Sequence, residues 1–196
     1  MQIEVNQIGF DLDGVIADTA EAFIRLACEE YDFCSYSLND ITSFQVEDCL
    51  DMPIQLVEKI FYSILEDSLG TQLKPMSGAV EVISRMSRTA PVTIITARSQ
   101  ERPVTDWLTH HFSSATCSRI QLVAMGDHDD KARYIHEHKL RYFVDDRAET
   151  CCSLQQQNIV PLVFDQPWNR GRHQLHSVTS WQEIHNLLQL PDTDQP

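Results

Sequence analysis

Three short apolar runs in this chain end in residues of the kinds that bind cations and phosphate. Ile8–Leu12 ends in acids, so that Asp11 and Asp13 stand two apart. Val92–Ile95 stops at Thr96, with Arg98 two residues further on, and Tyr142–Val144 leads into Asp145 and Asp146. On an extended backbone, residues two apart project to the same side, which predicts that Asp11 and Asp13 point together. Two carboxylates there, beside a second pair from another strand end, require a cation. Oxygen-only ligands at this density suit Mg2+, which keeps waters and accepts a substrate phosphate in its shell. Helix capping would account for any one of these acids, but poorly for four of them at two junctions. The histidines are scattered, at positions 110, 111, 128, 136, 138, 173, 176 and 185. Only His111 falls on an expected apolar face, and core filling or solvation accounts for each of them better than ligation.

The elements that must position these groups follow a strand-then-helix rhythm. Ala20, Phe23, Ile24 and Ala27 recur at helical spacing with Asp18 or Thr19 as N-cap. Pro53 opens a second helix with the face Leu56, Val57, Ile60, Phe61, Ile64 and Leu65, and Ser77 is expected to cap a third through Val80, Ile83 and Met86. Pro103 starts a helix bearing Val104, Trp107, Leu108 and Phe112. Ile120–Ala124 is a strand, followed by a helix near Asp129–Lys139, and another helix runs from about Ala148. Val160–Phe164 closes the strand series, and Trp181, Ile184, Leu187 and Leu188 mark a last helix. Short buried strands alternating with helices predict an α/β fold, a Rossmann-like three-layer parallel sheet covered on both sides. In such sheets ligands bind at the carboxyl ends of the strands. Residues 20–75 exceed what one right-handed crossover needs and are expected to form a helical cap insertion. Residues 1–19 and 76–190 are then the core, and 191–196 a frayed tail.

Composition narrows the function. The chain has 196 residues, 42% of them hydrophobic and 22% charged, as in an ordinary globular protein. No apolar run approaches the roughly 20 residues of a membrane span, and MQIEVNQIGF lacks the basic start of a signal peptide. The net charge is −14, and residues 1–75 carry −12 of it. Such a surface repels polyanions, so extended nucleic acid is a disfavoured partner. A small phosphorylated ligand remains admissible, because a metal ion reverses the sign locally. The six cysteines (Cys28, Cys34, Cys49, Cys117, Cys151, Cys152) show no CxxC spacing, so reduced thiols in a cytoplasmic protein are expected. Cys151 and Cys152 are expected on a helix rather than bridged to each other.

IGFDLDGVIADT resembles the first motif of the haloacid dehalogenase (HAD) superfamily, a hydrophobic strand followed by DxDG. TIITARS is similar to its second motif, Lys131 stands where the third-motif lysine belongs, and FVDDR is similar to the acidic fourth. The four are in order and in register over about residues 5–165, which makes the signal strong. DGVIADT, the TAR variant and the late DQPWNR segment most resemble the 5′(3′)-deoxyribonucleotidase-like group.

The resemblance implies a Mg2+-dependent phosphomonoesterase. Asp11 would be the nucleophile that forms an aspartyl-phosphate, and Asp13 the acid and then the base. Dehalogenases of the same fold need no second acid, so Asp13 favours phosphate chemistry. Mg2+ would be held by Asp11, the Asp13 backbone carbonyl and a fourth-motif acid. The residues alone do not separate Asp145 from Asp146; analogy with nucleotidases makes Asp146 the ligand and Asp145 the partner of Lys131. Thr96 would donate to a phosphoryl oxygen, and Lys131 would stabilise charge on Asp11 and phosphate, with Lys139 as the alternative lysine. Arg98 would either reach phosphate bidentately or serve at the surface. Arg147 would neutralise its acidic neighbours. Trp168, Asn169 and Arg170 would rim the pocket or, better, form a packed loop. An aromatic of the insertion (Tyr31, Phe33, Tyr36, Phe44, Phe61 or Tyr62) could stack on a nucleobase, although Phe61 lies on the apolar stripe. The substrate would be a small phosphorylated compound, most readily a nucleotide. The alternatives are a polynucleotide end phosphatase and a non-catalytic phospholigand-binding module.

Overall fold

The computed structural model describes residues 2–126 and 130–191. The chain begins with β1 (Ile8–Phe10), then α1 (Thr19–Tyr31) and α2 (Ile54–Glu66), with single 3-10 turns at Leu38–Asp40 and Val46–Asp48 between the two helices. There follow α3 (Ala79–Thr89), β2 (Val92–Thr96), α4 (Glu101–His111), the one-turn α5 (Ser114–Cys117), β3 (Ile120–Ala124) and α6 (Lys131–Glu137). β4 (Tyr142–Asp145), α7 (Ala148–Gln156), β5 (Val160–Phe164), β6 (Ser177–Val178) and α8 (Trp181–Leu187) complete it. The strands form one sheet in the order β3-β2-β1-β4-β5-β6, every pair parallel. No helix among the described residues is long and apolar enough to cross a membrane.

Alternation along the strands makes two cores from one sheet. Phe10, Ile94 and Val144 face a large cluster with Phe23, Ile83, Trp107 and Trp181. Ile95 and Phe143 face the other way, onto Ala132, Ile135 and Leu154 of α6 and α7. This is the three-layer α/β/α arrangement expected from the sequence. Phe10 pairs with Ile94 on one side and Val144 on the other, so the carboxyl ends of the three central strands lie side by side. The chain leaves the sheet and returns at adjacent points: Asp18 N–H donates to the Lys74 carbonyl and Met76 N–H to that of Ile16.

Several local expectations differ from the structure. β1 stops at Phe10, and residues 11–17 turn, with the Leu12 carbonyl accepting from Ile16 and Ala17 and with Gly14 at φ 71°. The same-side argument for an extended Asp11 and Asp13 therefore does not apply. Ser77 does not cap α3; Gly78, at φ 83°, precedes it. Leu65 is exposed rather than part of the buried face of α2. α5 and the two-residue β6 are too short for periodicity to announce. The helix expected near 129–139 begins at Lys131, and His128, Asp129 and residues 192–196 of the expected tail lie outside the described residues.

The largest correction is chemical, because Cys28 and Cys34 are disulfide-bonded with Cα atoms 4.2 Å apart. α1 ends at Asp32, which takes a left-handed conformation (φ 64°) and donates its N–H to the Ala27 and Cys28 carbonyls. That reversal folds Cys34 back onto the last turn of the helix. Cys151 and Cys152 are unbridged and lie in α7, as expected.

Candidate functional site

A cavity of about 140 Å³ opens at the carboxyl ends of β1, β2 and β4. Asp11, Asp13, Thr96, Lys131, Asp145 and Asp146 all line it. Asp11 follows β1 directly and stays in the ladder, its N–H donating to the Val144 carbonyl at 2.8 Å. Asp145 ends β4 and is buried; its Oδ1 accepts from the Arg147 N–H at 2.9 Å. Lys131, the first residue of α6, is buried as well. Its Nζ donates to Asp145 Oδ2 at 2.6 Å and lies 3.1 Å from Asp11 Oδ1.

Asp146 faces the same space from the next position. Trp168 Nε1 donates to its Oδ2 at 3.1 Å, and Asn169 Nδ2 donates to its backbone carbonyl at 2.7 Å. A Cβ at residue 14 would collide with the Asp146 carboxylate, so only glycine fits there, where φ is also positive. Thr96 is 1% exposed, and its Oγ1 accepts from the Arg98 N–H at 3.3 Å, which leaves the hydroxyl proton free for an acceptor.

Arg98 is neither at the surface nor among the residues lining the cavity. Its guanidinium is buried and holds Asp13 bidentately, Nε to Oδ2 at 2.8 Å and Nη2 to Oδ1 at 2.7 Å, while Nη1 donates to Ser68 Oγ at 2.7 Å. Thr19 Oγ1 also donates to Asp13 Oδ1, at 2.5 Å. The expectation that Arg98 reaches toward phosphate therefore gives way to a guanidinium whose nitrogens are all engaged by protein. The fallback Lys139 sits in the left-handed turn after α6 (φ 57°) and does not line the cavity.

The electrostatics set the acids apart. Burial pushes the Asp11 carboxyl up to about 7; Lys131 pulls against this, and the charges of Asp145 and Asp13 add to the rise. Burial also lifts Asp146 well above the usual carboxylate range, with Asp145 and Asp11 reinforcing it. For Asp13, burial pushes upward, but the Arg98 charge and its hydrogen bonds, with that of Thr19, win and hold it low. The Lys131 ammonium loses by burial, yet Asp11 and Asp145 raise its pKa above the ordinary value.

These values bear on the metal. Oxygens of Asp11, Asp145 and Asp146 lie within 4.8 Å of one another. Burial and mutual repulsion within this cluster favour the protonated forms of Asp11 and Asp146. A divalent cation would replace those protons, and an all-oxygen donor set suits a hard ion such as Mg2+. The Asp13 carboxylate lies outside this cluster, bound to Arg98 and Thr19.

The part of the lining supplied between α1 and α2 is the least legible in the sequence. Ile41, Ser43, Phe44 and Val46, from the stretch between α1 and α2, line the cavity together with Arg147, Thr150 and Trp168. The Arg147 guanidinium lies 4.7 Å from the Phe44 ring centroid, a cation-π contact between two residues of the lining. Phe44 is the one aromatic in the polar run ITSFQ, a weak but real signal. Trp168 joins the packed loop and the pocket wall together, while Arg170 pairs with Asp165 outside the lining. Phe61 stacks on Phe23 in the core, as its place on the stripe indicated.

The architecture is shared with solved structures of low sequence identity. A HAD-superfamily hydrolase from Ehrlichia chaffeensis matches with a TM-score of 0.52 at 14% identity, covering 92% of this chain and 94% of that one. A subfamily IA HAD hydrolase from Geobacter sulfurreducens gives 0.55 at 15%, covering 96% and 100%. CbbY from Rhodobacter sphaeroides, solved in complex with phosphate, gives 0.55 at 14%, covering 94% and 96%. At such identity these establish the fold. No curated protein matches the sequence. A family model matches residues 4–192, nearly the whole chain. With the HAD fold around a buried aspartate cluster, this match shows that the chain belongs to the 5′ nucleotidase, deoxy (pyrimidine), cytosolic type C (NT5C) family of HAD-type phosphatases.

Proposed function

We propose that this chain is a Mg2+-dependent phosphomonoester hydrolase that forms an aspartyl-phosphate on Asp11 and takes a nucleotide as substrate. The observation that carries the reading is the grouping of Asp11, Asp13, Thr96, Lys131, Asp145 and Asp146 around one cavity. An Asp11 oxygen attacks phosphorus, the bond to the leaving alcohol breaks, and protonated Asp13 gives its proton to the departing oxygen. Water then attacks the phosphorus, its proton passes to ionised Asp13, and Asp11 is released with inorganic phosphate. The Arg98 pair favours the ionised form of Asp13, the form needed for the second half. Thr96 donates to a phosphoryl oxygen, and Lys131 neutralises charge on Asp11 and the phosphoryl group. Mg2+, held by Asp11, the Asp13 backbone carbonyl and Asp146, would neutralise phosphate against the carboxylates. Asp145, ion-paired at 2.6 Å, then orients Lys131 rather than binding metal.

The nucleotide reading is supported by the family and by the cavity lining, where Phe44 offers an aromatic ring and Arg147 a guanidinium beside it. Residues 20–75 act in this reading as a cap over the strand ends, since they supply Phe44 to that lining. A cytoplasmic location belongs to the same reading and is supported by the family's name, whereas the Cys28–Cys34 bridge is of a kind uncommon in that compartment. Phosphate release from a panel of nucleotides, sugar phosphates and p-nitrophenyl phosphate tests it. Activity should require Mg2+, favour nucleoside monophosphates, and fall at least about a thousandfold in Asp11→Asn, on the order of 4 kcal/mol of barrier. Retained turnover in Asp11→Asn refutes the nucleophile. Tight binding of one panel member with no release would favour a non-catalytic module. Steeply salt-dependent release from oligonucleotide ends would favour a polynucleotide phosphatase.

A further inference from the structure

Arg98 and Ser68 stand outside the lining of the cavity, yet both are buried and joined to it through one carboxylate. Ser68, 1% exposed, follows the end of α2; its hydroxyl donates to the Ile64 carbonyl at 2.9 Å and accepts from Arg98 Nη1 at 2.7 Å. The other two guanidinium nitrogens grip both oxygens of Asp13, and Thr19, the first residue of α1, donates to one of them. A planar fork on a planar carboxylate fixes its rotation as well as its position. The last turn of α2 and the first residue of α1 are thus bound, through hydrogen bonds, to the side chain that must handle the proton. Each of its three nitrogens is committed to Asp13 or Ser68, and it stands outside the cavity lining.

We propose that Arg98 is a positioning residue, anchored by Ser68, that orients Asp13 to take the proton from the water attacking the aspartyl-phosphate. The inference rests on the phosphatase reading above. Breakdown of the phosphoenzyme is common to every substrate, whereas its formation from p-nitrophenyl phosphate needs little help from an acid, the leaving group being weakly basic. Loss of the clamp must therefore slow the second half selectively. Arg98→Met should lower kcat about 100-fold on p-nitrophenyl phosphate and on a nucleoside monophosphate alike. Its kcat/KM for p-nitrophenyl phosphate should fall no more than about threefold, and acid-quenched phosphoenzyme should accumulate with a burst of nitrophenol. Arg98→Lys keeps the charge without the fork and should fall between. Ser68→Ala should show the same split at about tenfold, the loss of one hydrogen bond to a charged group.

The proposal is overturned if Arg98→Met raises KM for both substrates at unchanged kcat, the mark of a phosphate-binding arginine. It is overturned equally if kcat/KM falls in parallel with kcat and no phosphoenzyme builds up. Should Arg98→Met not fold, the split in Ser68→Ala decides by the same criteria. Phosphoenzyme formed by the wild type but enriched in none of the variants removes the role of Arg98 alone. Its absence from every protein, wild type included, refutes the aspartyl-phosphate reading and the proposal with it.

Discussion

Replacing Lys131 with methionine should destabilise the metal-free fold by an amount that depends on pH. The ammonium lies 2.6 Å from Asp145 and 3.1 Å from Asp11. With an effective dielectric constant of about 20, those attractions amount to about 6 and about 5 kcal/mol before the desolvation of three buried charges is set against them. Removing one side of a buried pair leaves a net loss of about 3–5 kcal/mol. Methionine fills most of the volume of the lysine stem, so little of that loss is a cavity. The sign with pH comes from the carboxylates. Asp11 is raised to about 7 in the folded state, above its unfolded value, so its contribution is present when protonated and is lost as pH rises through about 7. Without Lys131 the downward pull disappears, and the loss extends to still higher pH. Urea unfolding in EDTA should show the variant about 3–5 kcal/mol less stable at pH 8 and less than about half as affected at pH 5. An equal loss at both pH values, or one below about 1 kcal/mol at pH 8, would refute Lys131 as the counter-ion of the cluster.

Mg2+ should bind more tightly at pH 8 than at pH 6, because the protons on Asp11 and Asp146 must leave before ligation. Calorimetry in buffers of different ionisation enthalpy should detect that proton release at pH 6, and an affinity independent of pH would contradict the assigned ligands. Phe44→Ala should raise KM for nucleoside monophosphates about tenfold and that for glycerol phosphate much less, since only the base gains from stacking; equal effects on both would remove Phe44 as a base contact. Cys34→Ser should cost about 2 kcal/mol of stability, the chain entropy of so short a closed loop. Added dithiol should abolish the difference from wild type, and a difference that persisted would mean the bridge is not its origin.

Which parts of the site could be read from the chain follows from where each interaction is closed. Asp11, Thr96 and Asp145 are placed by strand ends, and strand ends are written locally in runs such as Val92–Thr96. The clamp on Asp13 is not local, since Arg98 lies 85 residues from Asp13 and 30 from Ser68, and no spacing rule joins the three. Phe44 was hidden for another reason: between α1 and α2 only single 3-10 turns occur, so no periodicity shows which side chains face inward. The disulfide needed the knowledge that α1 ends at Asp32 in a left-handed turn. With the partners known, the charges can be balanced as they could not be from the motifs. Four carboxylates (Asp11, Asp13, Asp145, Asp146) face two committed cations, Lys131 and Arg98, and carry an excess of two negative charges when ionised. Arg98 is spent on Asp13, so the excess falls on the cluster of Asp11, Asp145 and Asp146, the place where a divalent ion's charge cancels it. On the proposed reading, a phosphate dianion then enters a cavity that would otherwise repel it, with Arg147 also on its lining.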